Sequence, residues 1–149
     1  MIDFTRVYDV LTRAKELDDG RIFVKSMDDE MKEFVIQMNT EDQLEEDGVF
    51  SDGTPTGEYS PLTVFIKRQK GQRFDHITFK DTGGFYDSFR VEVDKQGFTI
   101  DADGQVSADR NLFKFYGENI AGLTRENMDY LVEELTKKYI EIIKHELLS

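Results

Sequence analysis

Residues 77–102 read ITFKDTGGFYDSFRVEVDKQGFTIDA, and the changes of period inside this stretch decide the fold class. With His76, Ile77–Phe79 make a short run of β-favouring residues. Asp81-Thr82-Gly83-Gly84 then breaks the run with turn formers, a strand-to-helix junction with Asp or Thr as cap and glycine free to take positive φ. Phe85, Tyr86 and Phe89 follow at three- and four-residue steps, which predicts one or two helical turns with the rings pointing inward and Ser88 between them. From Arg90 onward apolar and polar residues alternate around Lys95-Gln96-Gly97, with Val91 and Val93 on one arm and Phe98, Ile100 and Ala102 on the other. That is a β-hairpin.

Helical periods lie on both sides. Phe4, Val7, Val10, Leu11, Ala14 and Leu17 share one face of a first helix ending near Gly20, and Val24, Met27, Met31, Phe34, Val35 and Met38 form the stripe of a second. From Glu46 the text becomes EDGVFSDGTPTGEYSP, with glycines at 48, 53 and 57 and both prolines of the chain, so residues 46–60 are expected to be a long loop or arm. Ser60-Pro61 reads as an N-cap with proline at the first helical position, opening a helix over 62–70 that Gly71 closes. After an irregular polar stretch at 103–111, residues 112–117 suggest a short buried helix. Thr124 caps the last helix, whose stripe runs through Met128, Leu131, Val132, Leu135, Tyr139, Ile142, Ile143 and Leu147. The expectation is one α+β domain over residues 1–149, with N-terminal helices and a long C-terminal helix packed on a small antiparallel sheet.

The chain has 149 residues, enough to bury roughly two-thirds of its unfolded surface in one core. It lacks cysteine, which removes disulfides, thiolate metal sites and a Cys nucleophile. No run of about eighteen apolar residues and no N-terminal apolar leader stands in it, so a soluble protein without membrane contact is expected. Thirty-one acids against nineteen bases give a net charge of −12, which repels nucleic acid at long range. The charge is uneven. Nine acids, among them Glu41, Asp42, Glu45, Glu46 and Asp47, face only Lys32 between 28 and 47, while Lys67, Arg68, Lys70, Arg73 and Lys80 face only Asp75. Such runs ordinarily mark solvated faces. The sharper reading makes them opposite ends of a subunit that meets its neighbour head to tail.

Residues that could carry chemistry are sparse. His76 and His145 are far apart, with no second histidine at metal-ligand spacing. Ser60 and Ser88 lack a nucleophile-elbow glycine pattern. Asp101, Asp103 and Gly104 begin like a calcium loop, but no acid closes it, and a local turn explains them. Asp81–Gly84 has no Lys-Ser/Thr after it, as a phosphate loop would require. No catalytic residue, metal or cofactor is therefore assigned, and a non-enzymatic protein is expected.

Taken in order, GEYSPLT at 57–63, KRQKG at 67–71, ITFKDTGGFYDSF at 77–89 and the hairpin at 90–102 resemble the tailed-phage virion morphogenesis, neck and tail-completion proteins, which act as head–tail connectors. LFKFYG at 112–117 and the helix at 124–147 match the family's later segments, and the wording of 81–89 is similar to forms from phages of the Bacteroides group, including crAss-like ones. Phe85 stands where leucine is usual, and Glu118–Leu123 replaces the family's Arg-Pro-Phe segment. The resemblance implies a virion structural protein, made in the host cytoplasm and placed in the neck or at the head-proximal end of the tail. It would form a ring with copies of itself and contact portal, adaptor or tail proteins. DNA would pass it without being gripped, which an acidic surface suits. Asp81, Thr82, Gly83, Phe85, Tyr86, Ser88 and Phe89 would define the fold. The alternative, from a different class, is a small acidic binding protein that mimics DNA or sequesters a basic partner.

Overall fold

Two aspartates divide the N-terminal region into more helices than its apolar spacing predicts. In the computed structural model, which describes residues 4–148 and their side chains from Asp9 onward, α1 spans Phe4–Lys15, α2 Asp19–Ser26 and α3 Asp29–Gln37. Asp18 accepts a hydrogen bond from the Arg21 N–H at 3.1 Å, and Asp28 one from the Met31 N–H at 3.0 Å. Each is the N-cap bond that starts a new helix, so the expected second helix is interrupted at Met27 and Asp28. The Phe4 and Val7 side chains lie outside the described residues. Leu11 and Ala14 are exposed, and only Val10 and Leu17 are half-buried along that stripe.

α3 runs without a break into a ten-residue π-helix, Met38–Asp47. Its hydrogen bonds reach five residues along the chain, a geometry rarely sustained beyond one turn. The wider turn buries Met38, Asn39, Thr40, Gln43 and Leu44 together. It ends at Gly48, whose φ of +65° is natural only for glycine, and a Cβ there would stand 2.5 Å from the His76 ring.

The segment expected as an arm lies against the body. Val49 bridges Pro55, the Ser51 N–H reaches the Asn119 carbonyl at 2.9 Å, and buried Thr56 donates to the Ile77 carbonyl at 2.6 Å. Backbone groups beside a core must be paired, and here the loop finds its partners across the molecule. α4, Pro61–Gln69, opens as the sequence predicts, with Ser60 Oγ accepting from the Thr63 N–H.

Residues 76–79 form no strand. Their polar groups pair instead with the 48–60 loop and with side chains: Ile77 N–H donates to Gly57 O at 2.9 Å, and Thr78 N–H to the Tyr59 hydroxyl at 3.0 Å. Phe79 then turns to a φ of +61°. That conformation costs a bulky residue on the order of 1–3 kcal/mol, offset here by ring contacts to Tyr116 (4.9 Å between centroids), Phe50 (6.0 Å) and Phe85 (6.4 Å).

α5, Gly84–Asp87, is the short helix read from FYDSF, and Phe85, Tyr86 and Phe89 are all buried. β1 (Arg90–Asp94) and β2 (Gly97–Asp101) pair antiparallel with Val91 opposite Ile100 and Val93 opposite Phe98. Asp94 accepts from the Gln96 and Gly97 N–H groups and closes the two-residue turn. The stretch 103–111, expected to be irregular, holds a second small hairpin, β3 (Gln105–Ser107) with β4 (Arg110–Asn111). α6 (Leu112–Tyr116) and a 3₁₀ turn (Glu118–Ile120) lead to α7, Arg125–Leu148, capped by Thr124 through the Asn127 N–H.

The molecule is thus α+β, with two two-stranded antiparallel sheets. Its interior has two adjoining clusters. Leu44, Phe79, Phe85, Tyr86, Phe89, Ala102, Leu112 and Ile120 make one; Met27, Met31, Val35, Met38, Val91, Leu123 and Leu131 make the other. Ile36 and Ile100 touch both. Each fully buried large side chain contributes roughly 1.5–3 kcal/mol. Leu131 alone of the α7 stripe is fully buried, and the helix is also held by polar ties. Glu146 takes a bidentate contact from Arg21, Lys138 pairs with Asp28, and the Tyr139 hydroxyl donates to Asp19 at 2.6 Å. Among the described residues no helix is long and apolar enough to cross a membrane.

Candidate functional site

The oppositely charged runs at 41–47 and 67–80 are neighbours in one subunit, which corrects the expectation that they form its opposite ends. The π-helix carries its acids to the side where residues 72–81 pass. There Arg73 pairs with Glu46 at 3.0 Å and with Asp75 at 2.7 Å, and Lys80 pairs with Glu45 at 3.2 Å. Lys70 faces Asp81 at 3.5 Å. Four of the bases proposed for contact with a neighbour therefore have other engagements, because Lys67 is buried. Its ammonium donates to the Lys80 carbonyl at 3.1 Å and lies 4.8 Å from the centre of the Tyr59 ring. Arg68 stacks on Phe74 at 4.5 Å, and Glu41, Asp42 and Asp47 remain exposed.

These contacts set the local acidities. Hydrogen bonding from Arg73 holds Asp75 down at about 2, and the Gln72 amide with the charge of Lys70 lowers Asp81. Asp42 moves the other way. Partial withdrawal from water raises its pKa, and repulsion by Asp47 and Glu46 adds to the effect. Burial pushes the Tyr86 phenol far up, while its hydroxyl donates to the Thr78 carbonyl.

The junction at 81–89 is a packing and capping device. Gly83, at φ +93°, precedes α5, and Thr82 Oγ1 accepts from the Gly84 N–H at 3.4 Å, one residue off the expected cap. Ser88 Oγ donates to the Phe85 carbonyl at 2.6 Å and accepts from the Asp103 N–H at 3.0 Å, which ties the end of α5 to the turn after β2. The resembling calcium loop is taken up locally, since Asp101 pairs with Arg90 at 2.6 Å and Asp103 accepts from the Gln105 N–H. His76 is a helix-end group: Nε2 lies 2.7 Å from the Glu45 carbonyl and 3.2 Å from that of Leu44. Among the described residues no group of three or more His, Asp or Glu is placed to hold a metal ion.

Two features escape the apolar pattern. The first is the pair of buried amides one π-turn apart. Asn39 donates to the Ile120 carbonyl (2.9 Å) and accepts from the Gly122 N–H (2.7 Å). Gln43 donates to the Gly122 carbonyl (2.8 Å) and accepts from the Thr124 N–H (2.9 Å) and the Asn127 amide (2.8 Å). Together they clamp the strap that leads into α7. Polar residues at 39 and 43 look like surface when helical spacing alone is read, although Gly122 beside them hints at close approach.

The second is the surface of α4. Leu62, Phe65 and Ile66 are 69%, 61% and 43% exposed, and Phe74 adjoins them through Arg68. Between α4, residues 72–81, the β3–β4 hairpin and α6 runs an open groove of about 450 Å³, lined by Tyr59, Ile66, Lys67, Gln72, Val106 and Arg110 among others. Comparison with protein-family models, curated proteins and solved structures finds no match.

Proposed function

We propose that this chain is a structural subunit of a tailed-phage particle, part of the head–tail connector or neck, or the piece that completes the tail at its head-proximal end. It works by offering surfaces to adjoining chains, and it has no enzymatic role. The observation that carries this reading is the uncovered apolar face of α4, where Leu62, Phe65 and Ile66 stand in water beside Arg68. Clustered apolar side chains on a protein surface mark sites of contact with other proteins. The order of the segments between 57 and 102, the net charge of −12 and the exposed acids Glu41, Asp42 and Asp47 add support, since a lumen lined by acids passes DNA without gripping it.

Native mass measurement and electron microscopy of the purified chain, alone and mixed with a tailed-phage portal protein, test the proposal. A ring or a portal-bound species is expected. A monomer at every concentration that ignores the portal and captures a DNA-binding enzyme instead would establish the DNA-mimic alternative.

A further inference from the structure

The groove beside α4 is chemically unlike the rest of the molecule. Four cations, Lys67, Lys70, Lys80 and Arg110, line it against one carboxylate, Asp81, in a chain that is acidic overall, and Lys80 is taken up by Glu45. Asp81 is already matched by Lys70. Among the described residues, Lys67 and Arg110 have no carboxylate at ion-pair distance, and Arg110 reaches only the Tyr116 hydroxyl at 3.4 Å. Lys67 is only 7% exposed, and a charge so far withdrawn from water demands strong partners. It has one carbonyl and the face of Tyr59. In the same wall Gln72 Oε1 is buried with no donor, while its Nε2 is committed to the Asp81 carbonyl at 2.8 Å, which fixes the amide's orientation.

Two kinds of anion could meet these groups, a small one or a carboxylate on a chain. Ile66 and Val106, 43% and 48% exposed at the mouth, decide between them. A small anion would leave both wet. A peptide would cover them with an apolar side chain while its carboxylate reached inward. We propose that this groove receives a segment of a partner protein in which a glutamate or aspartate adjoins a large apolar residue, with the carboxylate seated between Lys67 and Arg110. This deepens the assembly reading above and rests on it for the partner's identity.

The probes are the capped hexapeptide Gly-Leu-Glu-Phe-Gly-Ser, its Gln twin at the third position, and inorganic phosphate, each titrated into the full chain by amide-resolved NMR. The acidic peptide should shift the amides of Gln72, Val106 and Ser107, and the twin should bind about tenfold more weakly, as loss of a charge-assisted hydrogen bond implies. Lys67→Met should cause a similar loss. Arg110→Gln, at an exposed position whose side chain reaches only the Tyr116 hydroxyl at 3.4 Å, should weaken binding with the circular dichroism unchanged. Equal affinity for the twins, no shift at these amides up to millimolar peptide, or the same shifts from phosphate at matching affinity would each overturn the proposal. Ring formation is read separately by native mass, so a chain that assembles yet ignores the peptides would defeat this inference alone.

Discussion

Replacing Gln43 by Met keeps the length and flexibility of the side chain and removes its hydrogen bonds. Gln43 is fully buried and serves three partners: the Gly122 carbonyl, the Thr124 N–H and the Asn127 amide. The Asn127 side chain can rotate toward water, since it is only half-buried. The two backbone groups belong to a strap that Asn39 pins from the other side, so they cannot follow. An orphaned buried donor or acceptor costs about 1–3 kcal/mol, and two of them, less the small gain from a more apolar side chain, come to about 3 kcal/mol. For a chain of this length that lowers the melting temperature by roughly 6–12 °C. Urea and thermal unfolding followed by far-UV circular dichroism give the number, and hydrogen exchange at the Gly122 and Thr124 amides gives the place. A loss below about 1 kcal/mol, or faster exchange spread evenly over the fold, would refute the clamp. Combining Gln43→Met with Asn39→Leu should cost less than the two losses added, because both act on one strap.

Gly48→Ala should destabilise by at least about 2 kcal/mol in the same unfolding assay, since it combines a left-handed backbone with a contact 2.5 Å from the His76 ring. Tyr86 titrates above its ordinary value when folded, so its contribution is complete below about pH 10 and is lost as pH rises beyond that. Tyr86→Phe should give up about 1 kcal/mol at neutral pH with the Thr78 hydrogen bond, and should flatten the alkaline fall in stability; an unchanged slope in pH-dependent urea unfolding would contradict this. Phe65→Ser touches an exposed ring, so the melting temperature should stay within about 2 °C, while self-association or portal binding by native mass should disappear.

The elements that are legible in the chain are those whose own residues settle them. The hairpin at 90–101, the short helix at 84–87 and the capped α7 follow from period, turn chemistry and N-caps that all act within a few residues. What the sequence hides depends on partners far along the chain. Asp18 and Asp28 read as surface acids, yet they begin helices, and Thr56 reads as loop, yet it holds Ile77. Ile77–Phe79 have the composition of a strand, but a strand needs a neighbour, and the nearest backbone is an irregular loop. The charge runs are legible as charge; which side of the fold each reaches is set by the π-helix, whose winding no apolar spacing reveals.

That winding makes the number of residues between Met38 and Asp47 a stricter condition than their identity. Removing one residue from the segment takes away one residue's step of rotation, and everything after it then turns by on the order of 100° in azimuth. Glu45 and Glu46 would swing off Lys80 and Arg73, and Gly48 would leave the His76 ring that now closes over it. Exposed Glu41 and Asp42 can drift to other polar residues, but a shortened gene would put the two halves of the molecule out of phase.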